Sequence, residues 1–305
     1  MVTECIRPAE QRLKRPGERY TVRMDEHGKT LASFLDEAGT VTVLTGAGVS
    51  TRSGIPGYRD ENGDWKHAKP VQYADFVGSA AWRRRYWARS FVGWQRFSAA
   101  APNNAHTALV ALEERGHVDT LVTQNVDGLH SAAGSKKTID LHGRLDAVRC
   151  LECETSVARR DWQGRLAETN PEWHGKVTSI KPDGDAELDP RDYDGFEVPA
   201  CERCGGIMKP DVVFFGESVP GERVADAKDS VARSGGLLVV GSSLMVFSGL
   251  RFVRLAVELR KPVAIVNQGR TRGDDLATLK LGGDCGDVLE HALQSLPDAE
   301  DAAGL

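Results

Sequence analysis

Val41-Thr42-Val43-Leu44-Thr45-Gly46-Ala47-Gly48 reads as an apolar strand that runs directly into a glycine-rich turn. Three further runs of the same kind are Thr120-Leu121-Val122-Thr123, Leu237-Leu238-Val239-Val240 and Val263-Ala264-Ile265-Val266. Each is nearly continuous in apolar or β-branched residues, as strands buried on both faces require. They alternate with helical stretches such as Ala105 to Arg115 and Leu250 to Arg260. The pattern predicts an α/β fold, a Rossmann-like, doubly wound parallel sheet. In open sheets of this kind ligands bind beyond the carboxyl ends of the strands. Here those ends read Gly46-Ala47-Gly48, Gln124-Asn125-Val126-Asp127, Gly241-Ser242-Ser243 and Asn267-Gln268, all polar or glycine-rich.

A Gly-Ala-Gly turn after a strand lets backbone N–H groups approach a pyrophosphate closely, because no side chain stands in the way. A dinucleotide-binding dehydrogenase requires more: a third glycine and an acid about 20 residues on to hold the ribose. Position 51 is Thr and position 66 is Lys, which argues against hydride transfer.

Two pairs, Cys150-x-x-Cys153 and Cys201-x-x-Cys204, interrupt the α/β pattern. Four thiolates suit one tetrahedral Zn²⁺ and fill every position, leaving none for a catalytic water. The metal is therefore expected to be structural. A redox pair or buried thiols would be the alternatives, but polar, loop-like sequence trails both pairs. Between them Asp183 to Glu197 carries seven acids against one Arg, and residues 154 to 200 read as a long loop-rich insertion. The expected organisation is a discontinuous nucleotide-binding domain over 25–145 and 205–295, with 50–100 partly in a small helical module. A zinc-ribbon domain spans 146–204, and flexible termini lie at 1–24 and 296–305.

The chain has 305 residues, 40% hydrophobic content and no apolar run of transmembrane length, so no membrane association is expected. No secretory h-region precedes the first strand, and only Cys5 and Cys285 remain beside the paired cysteines. A cytoplasmic, disulfide-free protein follows. A net charge of −5 argues against nucleic acid as partner.

After Thr45-Gly46-Ala47-Gly48-Val49-Ser50 comes Ser53-Gly54-Ile55-Pro56-Gly57-Tyr58-Arg59. Further along stand Thr123-Gln124-Asn125-Val126-Asp127-Gly128-Leu129-His130, Leu141-His142-Gly143 and Lys209-Pro210-Asp211-Val212-Val213-Phe214-Phe215-Gly216-Glu217. With the four cysteines, Gly241-Ser242-Ser243 and Val266-Asn267-Gln268, this set resembles the sirtuins, NAD-dependent protein deacylases, in family order from about residue 25 to 295. The resemblance implies NAD and one structural Zn²⁺ as cofactors and acyl-lysine proteins or peptides as partners; the sequence does not fix the oligomeric state, and a monomer is the expectation. It implies a reaction in which NAD⁺ loses nicotinamide, the acyl oxygen of acyl-lysine attacks C1′ of the ribose, and the acyl group ends on ADP-ribose. Mono-ADP-ribosyl transfer to protein is the alternative that the same chemistry allows.

By the resemblance, His142 is the general base, and a histidine titrating near neutrality can take and return a proton. His130 is left as structural. Asn125 and Asp127 hold the ribose and the nicotinamide carboxamide, and Gln124 the ribose as well. Gly46, Ala47 and Gly48 form the phosphate-side loop, Arg59 lies near the phosphates or the leaving nicotinamide, and Tyr58 shields C1′. Gly57 stands where most sirtuins carry Asp. Gly241, Ser242, Ser243, Asn267 and Gln268 hold the adenosine, and the backbone of Cys285 meets the adenine. Val213, Phe214, Phe215 and Gly216 face Phe247-Ser248-Gly249 across the substrate peptide, which adds as a strand.

Within Arg85 to Trp94, aromatics at 87, 91 and 94 follow helical spacing and fit packing. Tyr86 and Arg89, at i and i+3, can face one pocket. Sirtuins that remove acidic acyl groups use a Tyr-x-x-Arg pair at this place, where phenol and guanidinium grip a carboxylate. That stretch, the long inter-cysteine loop, Pro182-Asp183-Gly184-Asp185 and Thr271-Arg272-Gly273-Asp274-Asp275-Leu276 look most like class II sirtuins, the group containing a mitochondrial lipoamidase and ADP-ribosyltransferase. Acidic or long acyl groups are accordingly expected to be favoured over acetyl.

Overall fold

A computed structural model describes residues 16–66, 70–174, 177–180, 186–188 and 193–297. The strands in chain order are β1 (Val41–Thr45), β2 (Val118–Thr123), β3 (Thr138–Asp140), β4 (Gly143–Cys150), β5 (Ser156–Ala158) and β6 (Val177–Ile180). They continue as β7 (Ala186–Leu188), β8 (Met208–Val212), β9 (Gly236–Val240), β10 (Val263–Val266) and β11 (Leu279–Leu281). The helices are α1 (Pro16–Ala38), α2 (Tyr73–Gly78), α3 (Ala80–Phe97), α4 (Asn104–Glu114) and α5 (Leu129–Ala133). After these come α6 (Arg159–Thr169), α7 (Gly221–Arg233), α8 (Phe247–Glu258) and α9 (Cys285–Ser295).

Six strands form one parallel sheet in the order β11-β10-β9-β1-β2-β3. The chain leaves β1 for β2 and β3 on one side, then returns to place β9 on the other. The strand order therefore reverses at β1, which opens a crevice at its carboxyl end. Successive side chains of a strand point to opposite faces, and here both faces are covered. Val43, Leu121, Leu238, Val240 and Ala264 pack with α1, α4 and α9. Leu44, Val122, Leu237, Val239 and Ile265 pack with α7 and α8. The near-continuous apolar character of these strands thus has its physical cause. Among the described residues no helix is long and apolar enough to cross a membrane.

A second, antiparallel sheet, β5-β4-β8, carries the cysteine pairs. Its strands run from Gly143 and to Val212, beyond both ends of the 146–204 module expected from sequence, because β4 and β8 must pair to bring the two cysteine turns together. β6 and β7 pair antiparallel inside the insertion. α1 begins at Pro16, before the boundary at residue 25. The stretch Pro182-Asp183-Gly184-Asp185 lies outside the described residues.

Candidate active site

The carboxyl ends of β1, β2, β9 and β10 meet at a cleft of about 1020 Å³, a size suited to a small-molecule ligand. Gly46, Ala47, Gly48, Tyr58, Arg59, Gln124, Asn125, Asp127 and His142 line it. So do Gly241, Ser242, Ser243, Asn267, Gln268 and Cys285, together with Tyr86, Val213, Phe214, Phe215 and Gly216. Of the cleft positions read from sequence, Arg89 and Gly249 do not line it.

The glycine turn works differently from expectation. The N–H of Gly46 donates to Val240 O at 3.1 Å and that of Gly48 to Gly241 O at 2.8 Å, so neither amide is aimed at a phosphate. A Cβ on Gly48 would stand 2.7 Å from Gly241 O, and Gly241 itself has φ +61°. These glycines let the ends of β1 and β9 touch, and the touching chains form the floor of the cleft. Cys285 is buried, its Sγ 3.8 Å from Val266 O, and burial pushes its thiol pKa up to about 12. It is therefore an inert thiol at the cleft edge.

His142, just past β3, packs its Nδ1 2.9 Å from Gln124 O and its Nε2 2.9 Å from Ser248 Oγ on α8. A carbonyl accepts only, so Nδ1 carries the proton and Nε2 presents a lone pair to which Ser248 donates. Burial lowers the His142 pKa, more than the Gln124 bond raises it, and Arg251 and Arg223 lower it further. The imidazole is neutral at pH 7, the state a base needs. Ser248 is a partner that sequence reading assigned only to the peptide segment. The Gln124 side chain turns the other way, and its Oε1 accepts from Ser242 Oγ at 2.7 Å.

Ser50 ties the two β2-end polar residues together. It donates to Asp127 Oδ2 at 2.7 Å and accepts from Asn125 Nδ2 at 3.1 Å. The other carboxylate oxygen of Asp127 accepts from Leu129 N at 2.9 Å. Behind them Thr45 donates to Thr123 Oγ1 at 2.8 Å, and Thr123 accepts Asn125 N at 3.1 Å. His130 Nε2 lies 2.9 Å from Thr45 Oγ1. Strand β1 thus fixes the backbone from which Asn125 projects.

Over the cleft, Trp65 sits between Tyr58 and Phe215, with ring centroids at 6.2 and 5.5 Å, and Arg59 stacks on it at 3.7 Å. Arg59 also donates to Gly63 O at 3.0 Å. Gln268 Nε2 donates to Glu61 Oε1 at 3.1 Å, which joins the loop to the β10 end. Trp65 and Glu61 belong to no motif read from sequence. Gly57 lies in the same loop with its nearest Cβ neighbour at 3.8 Å.

The four cysteines converge at one end of the antiparallel sheet, all Sγ atoms within 4.8 Å of one another. Cys150–Cys204 and Cys153–Cys201 stand at 3.5 and 3.7 Å. A tetrahedron with Zn–S bonds of about 2.3 Å has edges of about 3.8 Å, so the donor set fits one structural Zn²⁺.

A family model described as the Sir2 family matches residues 46–248. A protein of Bradyrhizobium diazoefficiens, named NAD-dependent protein deacetylase 2, is 52% identical over 265 residues, which covers 87% of this chain and 97% of that one. NAD-dependent protein deacylase Sirt4 of Drosophila melanogaster is 49% identical over 264 residues, 86% of this chain and 85% of its own. Among solved structures, a Sir2 protein with p53 peptide and NAD⁺ superposes with a TM-score of 0.71 at 31% identity, over 87% of this chain and 97% of the other. The chain belongs to the Sir2 family. It is an enzyme, an NAD-dependent protein deacetylase of the sirtuin type.

In this sirtuin the wall opposite His142 is aromatic. Tyr86 packs against Phe76, Trp87 and Phe214, with centroids at 5.5, 5.3 and 5.1 Å, and reaches the cleft beside Ile55, Phe97 and Leu145. Arg89, one turn further along α3, is buried within the fold. The i,i+3 spacing gives a shared helix face, but the cleft reaches only as far as Tyr86. Of the expected Tyr-Arg pair, Tyr86 borders the cleft and Arg89 lies buried behind it. Lys209 Nζ is 3.1 Å from Glu217 Oε2, which also accepts Phe214 N at 2.8 Å and so shapes the Phe214–Glu217 turn. Burial pulls the Lys209 pKa down against the pull of Glu217.

Proposed function

We propose that this sirtuin deacylates protein lysine side chains with His142 as general base, favouring acidic or long acyl groups over acetyl, as a class II member. When bound, NAD⁺ supplies the electrophilic ribose carbon and the nicotinamide leaving group. The observation that carries the reading is the orientation of His142, whose protonated Nδ1 is held by Gln124 O while Nε2 stays basic in the cleft. Asn125 and Asp127, braced by Ser50, present an amide and a carboxylate suited to ribose hydroxyls and a carboxamide. The strand-end loops of β9 and β10 supply Ser243, Asn267 and Gln268 for the adenosine end. The aromatic roof of Tyr58, Trp65 and Phe215 excludes water from the reacting carbon.

Three features support the acyl preference and the subgroup. The acyl side of the cleft is lined by Ile55, Phe97, Val126, Leu145 and Phe214, an apolar wall suited to the methylenes of a longer acyl chain, with the Tyr86 phenol among them. Thr271 donates to Asp274 at 2.6 Å and Arg272 N to Ser243 O at 2.9 Å, so the Thr271–Leu276 segment braces the adenosine loop. Drosophila Sirt4 is also a near relative. The rest of the reading is a cytoplasmic monomer without nucleic-acid partner, with a nucleotide-binding unit over 25–145 and 205–295 and a zinc module at 146–204.

The test is nicotinamide release from NAD⁺ across acetyl, succinyl, glutaryl, hydroxymethylglutaryl and lipoyl lysine peptides of one sequence, with His142→Ala beside the wild type. Release that needs both an acyl peptide and His142 is the expected result. A clear acetyl preference sinks the acyl reading. Nicotinamide release that needs no acyl peptide, with labelled ADP-ribose appearing on protein, would replace deacylation by mono-ADP-ribosyl transfer, and no release under any condition would sink both readings.

A further inference from the structure

Phe247 opens α8 at the rim of the cleft and is 53% exposed, more than any other large hydrophobic side chain among the described residues. Arg251 and Arg254 follow it at i+4 and i+7, on the same face of the helix. Their guanidinium carbons lie 5.2 and 5.7 Å from its ring centroid, within cation–π range. Neither arginine is ion-paired to a carboxylate among the described residues, and Arg251 Nε is buried there without a hydrogen-bond partner. Arg251 also lines the cleft. Two like charges three residues apart on a helix repel, so the arrangement is costly unless something anionic completes it.

The carboxylates of the cleft do not supply that charge. Glu217 is held by Lys209 at 3.1 Å, Asp127 by Ser50 at 2.7 Å, Glu61 by Gln268 at 3.1 Å and Asp284 by Arg52 at 3.0 Å. Asp60 accepts the N–H groups of Asn62 and Asp64 at 2.9 Å. Meanwhile Arg251, which lines the cleft, and Arg223 behind it both place positive charge near His142. Ser248, whose Oγ touches His142 Nε2 at 2.9 Å, is one turn from Arg251. An extended chain advances about 3.3 Å per residue, so a side chain one or two residues from a lysine acted on at His142 comes within reach of the pair.

Resting on the deacylase reading, we infer that Phe247, Arg251 and Arg254 form a selective lip that favours acyl-lysine segments carrying Asp or Glu next to the modified lysine. The complementarity is of charge, and the aromatic ring keeps both guanidinium groups in place for bidentate contact.

The experiment uses the full-length enzyme and three sets of labelled peptides that share one acyl-lysine and differ only in Glu, Gln or Lys at its flanking positions. Binding by fluorescence anisotropy and kcat/KM by nicotinamide release are measured for the wild type and for Arg251→Gln/Arg254→Gln. Wild type is expected to prefer Glu over Gln by about three- to tenfold and to disfavour Lys, mainly through KM, with the preference fading as salt rises. In the double variant the Glu/Gln ratio falls to about one. Because each ratio is taken within one protein, a partial folding loss does not mimic this result. Equal wild-type binding of Glu and Gln peptides, or a preference that survives both substitutions, overturns the lip. Anisotropy decides the lip without turnover, so absence of nicotinamide release would count against the deacylase reading alone.

Discussion

His142 and His130 lie near one another in sequence and are set to different tasks by what surrounds their nitrogens. His142 borders the cleft with its Nε2 lone pair accepting from Ser248, and its pKa is lowered chiefly by burial. A base works in its neutral form, which persists above its pKa. Deacylation kcat/KM is therefore expected to hold as pH falls through 6.5, the ordinary histidine value, and to drop only below it. Ser248→Ala removes a donor that favours the neutral imidazole, so the acid limb should move upward by up to about one pH unit. A wild-type limb above 6.5 would contradict the assignment. His130 has no such outlet. It is buried against Thr45 and the ring of His106, 4.8 Å away, and burial lowers its pKa to about 3. The unfolded chain then binds the proton that the folded chain refuses, so stability is whole above pH 6.5 and is lost as pH falls from there toward 3. The full effect is about 5 kcal/mol at most, and His130→Gln should flatten that slope in urea titrations run at several pH values. A slope unchanged by the substitution would assign the acid lability elsewhere.

Among elements, the junction of β1 with β9 decides whether a cleft exists. Gly48→Ala would force a Cβ to 2.7 Å from Gly241 O and push the strand ends apart. We expect a loss of about 2 kcal/mol or more in stability with a raised KM for NAD⁺. By contrast a Cβ at position 57 would meet no atom closer than 3.8 Å, so Gly57→Ala should leave stability within about 0.5 kcal/mol. Thermal unfolding of the two variants side by side separates a structural glycine from a replaceable one. Legibility follows the same line. β1, β2, β9 and β10 were readable because strands buried on both faces must be apolar throughout, and Asn125 and Asp127 because they follow the end of β2, whereas His142, just past the short β3, was readable through the motif resemblance. The use of Gly46 and Gly48 was not readable, since their amides are taken by a strand almost 200 residues on. Nor were Ser50, Trp65 and Ser248, whose partners are chosen by the tertiary fold. Arg89 shows the limit of spacing: one turn of helix separates a cleft wall from a buried interior.

At the scale of the molecule, the sheet and the zinc module have different sources of stability, and the cleft is shared between them. Val43, Leu121, Leu238 and their helices, and Leu44, Leu237, Val239 and theirs, form two cores that involve no cysteine ligand. Cys150 and Cys201 instead belong to a third core with Trp87, Trp162, Phe196 and Met208, and that core continues into Ile55, Tyr86 and Phe214 on the acyl side of the cleft. Without the metal, thiolates at 3.5 and 3.7 Å would repel or take up protons, and the two cysteine turns would separate. Since the ligand shell is full, chelation should not abolish chemistry by removing a catalytic ion. It should loosen the third core, so that near-ultraviolet dichroism from Trp87 and Trp162 falls while far-ultraviolet signal from the six-stranded sheet largely remains. Calorimetry on the chelated protein is expected to retain NAD⁺ binding, since Asn267, Gln268 and Ser243 hang from the sheet. Acyl-peptide binding should be lost at least tenfold, because Tyr86 and Phe214 rest on the loosened core. Peptide affinity that survives complete zinc removal would show that the acyl wall stands on α3 alone, and loss of both ligands together would show one cooperative unit rather than two.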